Sequence, residues 1–381
     1  MYGVSSLRRK RPILACCRPA HNLPPMPQTI APRPAGPRPV PTLPNMTPAV
    51  FGIVMATGIV SLASAQLGFE GLGRALFALN IVFYLAVWAM TLMRALRYRS
   101  RVIQDLADHA RAPGFFTMVA GTSVLGLQFL FLAGQASVAK ALWWLALGLW
   151  LVLGYGIFAA LTVKADKPLL NHGMHGGWLL AVVATQSIAV LGIDLSPAFA
   201  PAWQPLLSLA CLALWLWGGM LYILLMALIL YRCLFLPLSP EDLSPPYWIN
   251  MGAMAISTLA GSRLILAADS APLLMQLQPF LKGFAVFYWA SGSWWIPLLL
   301  VLGVWRHLIR RFPLRYDPLY WSAVFPLGMY AAATHDLCLA LGVDFLGWLP
   351  LVFLGAAWLA WALAIAGLLL SLLKSRQARG D

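Results

Sequence analysis

The sequence predicts an all-α polytopic membrane protein. Ten transmembrane helices are paired as five helical hairpins, and the odd-numbered helices form an inner ring around a central pore. Three observations lead there: the scarcity of charge, the spacing of the charge-free stretches, and a helix-start pattern that returns in every second stretch. The chain of 381 residues is 61% hydrophobic and only 10% charged, where soluble domains carry roughly 25% charged residues. A soluble globule of this size needs more charge to cover its surface, and a disordered chain is poorer in apolar residues.

Taken in order, the stretches free of Asp, Glu, Lys and Arg run at 39–69, 75–93, 112–139, 141–163, 168–193, 195–231, 243–262, 283–305, 318–335 and 345–373. Each is long enough to cross about 30 Å of hydrocarbon as a helix. The sixth opens with Pro197, Pro201 and Pro205, so it reads as a loop followed by one span. Residues 46–373 therefore make one transport domain, flanked by a basic, Pro-rich N-terminal arm (1–45) and a short basic tail (374–381). The arm holds eleven prolines and Arg clusters and reads as disordered, without the apolar run of a signal peptide. The cysteines Cys16, Cys17, Cys211, Cys233 and Cys338 form no CxxC pair, so no disulfide or zinc framework is expected.

Orientation follows from Lys and Arg in the short connections. One side collects 22 of them, including Arg8–Arg11, Arg94, Arg111, Arg232, Arg306, Arg315 and Lys374, while the other holds Arg74, Lys140, Arg263 and Lys282. Both termini are expected in the cytoplasm, in a multi-pass protein of the plasma (inner) membrane. Positive charge so placed is a topology signal, and no nucleic-acid partner is expected. The lipid bilayer is the environment, and anionic lipid is the natural neighbour of the arm.

The odd spans begin alike. Pro48 precedes Phe51, Pro113 precedes Phe116, Gly176 precedes Trp178, Pro246 precedes Trp248 and Pro318 precedes Trp321. Pro or Gly in the first turn and an aromatic at the membrane interface are helix-start features. Of 17 tryptophans only Trp178, Trp248 and Trp321 lie in odd spans. Odd spans carry small residues instead, as in Ala120-Gly121-Thr122-Ser123 and Ala331-Ala332-Ala333-Thr334. Small residues let backbones approach closely, which places the odd helices inside and the bulky even ones outside.

The TPAVFGIVMATGIVS start, GGWLLAVVATQS in the fifth span and WSAVFPLGMY in the ninth resemble the tellurite-resistance/dicarboxylate transporter family. That family includes the plant guard-cell slow anion channel and fungal malate and sulfite exporters. The resemblance spans about 45–373. It implies ten helices as five hairpins enclosing a pore, often as a homotrimer, and a link to tellurite resistance. It also implies closure by a phenylalanine on the ninth helix, here Phe325 followed by Pro326. Counting four residues past each anchor reaches the same residue, because one level of the inner ring reads Met55, Ala120, Val182, Gly252 and Phe325. Phe325 is the one large ring there, and Pro326 removes a backbone donor and should kink the helix. The competing reading packs Phe325 outward against the tenth helix.

An anion is the expected cargo, either a C4-dicarboxylate or an inorganic oxyanion or halide. Apart from Asp336 no acidic residue lies in a span, so no carboxylate ring replaces a cation's water. Thr57, Thr122 and Thr185 follow the anchors by six or seven residues and either line the pore as donors or bond back to their own helices. Arg263 and Asp336 lie at the same distance past Trp248 and Trp321. They are expected to form an ion pair at the outer mouth, unless each snorkels separately to water. A gated channel and a proton-coupled carrier or exporter of organic acids or sulfite both remain open. No P-loop is present, and no paired carboxylates, Ser/His pair or HExxH motif supports an enzyme. Haem needs facing histidines in two spans, and His172 and His175 are read as loop residues. No cofactor and no metal are expected.

Overall fold

The computed structural model describes residues 43–313 and 316–380, with side chains through Leu373. Residues 1–42, Leu314, Arg315, the side chains of the tail and Asp381 lie outside the described residues, and with them most of the expected disordered arm and its basic groups.

Among the described residues ten helices are long and apolar enough to cross a membrane: α1 Pro48–Gln66, α2 Glu70–Arg97, α3 Ala112–Ala133, α4 Ala136–Val163, α5 Gly176–Asp194, α6 Pro201–Phe235, α7 Pro245–Leu266, α8 Gln278–Ile309, α9 Pro318–Leu341 and α10 Leu349–Leu373. Most overrun the charge-free stretches, since Arg and Lys at a helix end can lay their stems along apolar surface. Two carboxylates enter spans this way, Glu70 at the start of α2 and Asp194 at the end of α5. The expectation that only Asp336 is acidic within a span is corrected accordingly.

The helices form two concentric layers. The five odd helices are 72–100% buried over their most apolar stretch, the even ones 11–50%. Neighbouring odd helices pack in a closed order, α1 on α3, α3 on α5, α5 on α7, α7 on α9 and α9 back on α1. Each even helix packs on the odd helix before it and leans on the one after, with α10 returning to α1.

Every odd helix starts with a 3₁₀ turn, and these turns touch each other as a second closed ring of five. The start pattern explains it: Pro or Gly fixes a tight first turn. Glycine then allows contact, since a Cβ on Gly114 would lie 2.8 Å from the Ala49 nitrogen and one on Gly176 would lie 2.6 Å from the Pro246 carbonyl oxygen. Thr47, His175 and Asp317 each accept a backbone N–H two residues on, capping three of the five starts. At the other end, α3 and α9 stop at Gly134 and Gly342, whose φ of 64° and 68° is the left-handed cap that glycine adopts freely.

Each outer helix is tied to the inner helix of the next hairpin by an aromatic hydrogen bond. The Tyr84 and Thr122 hydroxyls are 3.1 Å apart (α2 to α3), and Trp150 Nε1 donates to Thr185 Oγ1 at 2.8 Å (α4 to α5). Trp215 Nε1 donates to the Ser257 carbonyl at 2.8 Å (α6 to α7), and Trp289 Nε1 to Thr334 Oγ1 at 3.1 Å (α8 to α9). Trp361 Nε1 closes the circuit on Thr57 Oγ1 at 3.1 Å (α10 to α1). Buried indole N–H groups need a partner, and hydroxyls and carbonyls of the small-residue helices supply it. Tyr84 and four tryptophans of the even spans therefore bind the two layers together.

Candidate functional site

The helical wheel of α9 is fixed by its contacts. A Cβ built on Gly52 of α1 would meet Trp321 Cβ, and one built on Gly328 would meet Ile59 and Val60, so Trp321 and Gly328 face α1. Pro326 faces α7, where a Cβ on Gly252 would come within 2.8 Å of its ring. Tyr330 and Thr334 face α8. At 3.6 residues per turn, the remaining arc between α1 and α7 carries Phe325, Met329 and Asp336 and looks toward the axis. Phe325 is fully buried. Helix α9 continues through Pro326, whose missing N–H leaves the Ser322 carbonyl without its helical partner.

Contacts on α1, α3, α5 and α7 place the other expected pore residues. Met55 and Ala120 lie on inner arcs: Gly52 and Thr57 of α1 face α9 and α10, and Gly121 and Thr122 of α3 face α1 and α2. Val182 does not. Thr185 and Gln186 face the outer helices α4 and α6, and Val182 falls between them on the outer side. Because Thr185 repeats the bonding of Thr57 and Thr122, the residue two before it, Val183, takes the place of Met55 and Ala120. The anchor of α5 is thus Leu179, one residue later than Trp178. Gly252 is likewise a seam position against α9, where only a missing side chain permits the approach of Pro326.

The three threonines are corrected as pore donors. Thr122 and Thr185 donate to the carbonyls of Met118 and Ala181 at 2.7 and 2.9 Å. All three accept from, or meet, an outer-helix aromatic. The hydroxyls of Thr122 and Thr185 have no proton left for an axial anion, and that of Thr57 accepts from Trp361 of the outer helix α10.

Charge enters the inner ring only at one end. Arg263 Nε lies 2.6 Å from Asp336 Oδ2, and Arg263 Nη1 lies 3.7 Å from Asp194 Oδ1. The Nε–H is not aimed at the carboxylate oxygen, so the closer contact is an ion pair without hydrogen-bond geometry. Gln66 Nε2 donates to Asp336 Oδ1 at 3.5 Å, and the Arg263 guanidinium sits 5.0 Å from the centre of the Phe131 ring. All five inner helices therefore send one side chain into a single cluster: Gln66, Phe131, Asp194, Arg263 and Asp336. Each stands fifteen residues past its anchor once Leu179 is taken as the anchor of α5. Sequence reasoning reached the Arg263–Asp336 juxtaposition but missed Asp194, Gln66 and Phe131. The repeated spacing was the signal that would have found them.

The opposite end is held by a buried knot. Asp105 receives Arg94 and Arg111, each at 2.6 Å. The two guanidinium groups also donate to the Pro44 and Met46 carbonyls at 3.1 Å, which fastens the chain just before α1. His175 Nδ1 accepts the Gly177 N–H at 3.1 Å and Nε2 faces the Ala110 carbonyl at 3.1 Å. Burial pushes its imidazole below the usual range, and both ring nitrogens are spent. Among the described residues no three His, Cys, Asp or Glu side chains gather as a metal site.

Comparison with known proteins agrees with this architecture. An uncharacterized membrane protein of Mycobacterium tuberculosis is 42% identical over 138 residues, 34% of this chain and 70% of its own length. An uncharacterized transporter of Methanocaldococcus jannaschii is 24% identical over 315 residues, covering 80% of this chain and 89% of that one. The sulfite efflux pump of Trichophyton rubrum is 23% identical over 319 residues, covering 77% and 82%. The family model described as voltage-dependent anion channel matches residues 45–369, a span that takes in both rings of helices and the charged cluster, and the chain belongs to that family.

Proposed function

We propose that the protein passes small anions along the axis of its inner ring, with Phe325 as the closure, both termini in the cytoplasm and the charged cluster at the external mouth. The observation that carries this is the inner arc of α9, on which Phe325 is fully buried between α1 and α7. A large ring opposite the slender Ala120 and Val183 and the flexible Met55 is the chemistry of a plug. Among the described residues no carboxylate of the inner helices lies below the charged cluster, which disfavours a cation path. Family membership supports anions as the cargo. Inorganic oxyanions come first, since one relative is a sulfite efflux pump, ahead of C4-dicarboxylates. A link to tellurite and assembly as a homotrimer rest on the sequence resemblance alone. The test is flux of nitrate, chloride, sulfite and a C4-dicarboxylate into vesicles holding purified protein. Selective anion flux above that of empty vesicles is expected, and cation flux without anion flux would overturn the reading.

A further inference from the structure

Beside the charged cluster, off the axis and between α5, α6 and α7, a cleft of about 260 Å³ is lined by Asp194, Ser196, Ser208 and Arg263 together with apolar side chains. Arg263 stands between the two spaces, its Nε against Asp336 and its Nη1 toward Asp194. One guanidinium thus serves two carboxylates whose side chains are only 3% and 11% exposed. With both ionised, the cluster carries an excess negative charge in a place water scarcely reaches, which is costly.

Asp194 is the worse served of the two. Both have a buried Oδ2 without a hydrogen-bond partner, but the contact of Asp194 with Arg263 is the longer one, and Asp336 alone receives a side-chain amide, that of Gln66. Asp194 also ends α5, where the negative pole of the helix opposes a carboxylate. Two acids competing for one cation are relieved when one of them takes a proton.

We propose that this cleft is a binding site for a small oxyanion and that it fills only when Asp194 is protonated. The proton comes from water at that end of the bundle and returns to it, so no other reactant is needed. Protonated, Asp194 no longer repels an anion, the Ser196 and Ser208 hydroxyls donate to it, and Arg263 supplies the charge. Ionised, Asp194 repels the same anion. The groups facing Asp194 from the elements around it are Arg263 of α7, Asp336 of α9, Ser208 and Cys211 of α6, and Ser270 after α7, while His335 acts on Asp336. Gln66 of α1 reaches it only through Asp336, and Ser270 spends its proton on the Ala267 carbonyl. Arg263 is the one permanent cation among them.

The proposal rests on the anion-transport reading and adds proton control to it. Its test is nitrate flux through the full-length protein in phosphatidylcholine–phosphatidylglycerol vesicles between pH 5.5 and 8.5, nitrate itself being fully ionised throughout. Wild-type flux should fall about tenfold per pH unit above its midpoint, as for a single required proton. Asp194→Asn should hold the acid-side flux at every pH. Asp336→Asn, which leaves Arg263 to Asp194 alone, should move the midpoint to lower pH, and it carries the test if Asp194→Asn does not fold. A wild-type flux that ignores pH, an unchanged profile in Asp194→Asn, or an unmoved midpoint in Asp336→Asn would overturn the proton requirement and leave anion transport standing. No flux of any anion at any pH would overturn the transport reading and this proposal with it.

Discussion

At the scale of single residues, Arg263 decides the electrostatics of the inner ring. Arg263→Gln strands two buried carboxylates, at a cost of roughly 3–5 kcal/mol, whereas Asp336→Asn leaves Arg263 paired with Asp194. Each should change conductance or substrate affinity. Because the side chains touch, the double variant should depart from additivity by about 1 kcal/mol or more. Strictly additive effects, in flux and in thermal stability, would show that the two do not interact. This pair was legible in the sequence because Arg263 and Asp336 follow their anchors by the same fifteen residues. Asp194 was hidden because a charge at the edge of an apolar run reads as the end of a span. The threonines misled for a related reason. A hydroxyl on a small-residue helix suits a lumen or an outer aromatic equally well, and only the three-dimensional register shows that Tyr84, Trp150 and Trp361 claim it.

At the scale of helices, the starts are the most legible part of the fold. Pro or Gly followed by an aromatic marks all five odd helices, and the structure adds that these turns meet as a ring. The fine register was less legible. Trp178 donates its indole to the Gly173 carbonyl at 2.8 Å and sits one residue ahead of the true anchor, so an aromatic alone misplaced the level of α5 by one position. The α7–α9 seam yields a prediction of its own. A Cβ at Gly252 would stand 2.8 Å from Pro326 Cγ and 3.3 Å from its Cα, and a proline ring cannot swing aside. Gly252→Ala should therefore cost about 1–3 kcal/mol of overpacking, read as a lower unfolding temperature in detergent. A variant as stable as wild type would mean that α7 and α9 are free to separate there.

The helices of residues 48–373 form two rings in one membrane, and the basic residues of their connections predict their orientation. A periplasm-active reporter fused after Asp194, at the charged end, should be active, and one fused after Asp381 should be silent. The reverse pattern would turn the bundle over and put the Arg263 cluster at the cytoplasmic mouth. The hairpin plan and the inner and outer assignment followed from composition because burial sorts small from bulky residues. Which side of each inner helix looks inward did not follow, since those helices are apolar all round. Closure of the axis is the central claim, and unitary current through Phe325→Ala in a planar bilayer tests it most directly. A larger anion current than wild type is expected, from protein of normal stability. An unchanged current from a well-folded variant would place the pathway away from Phe325 and contradict it.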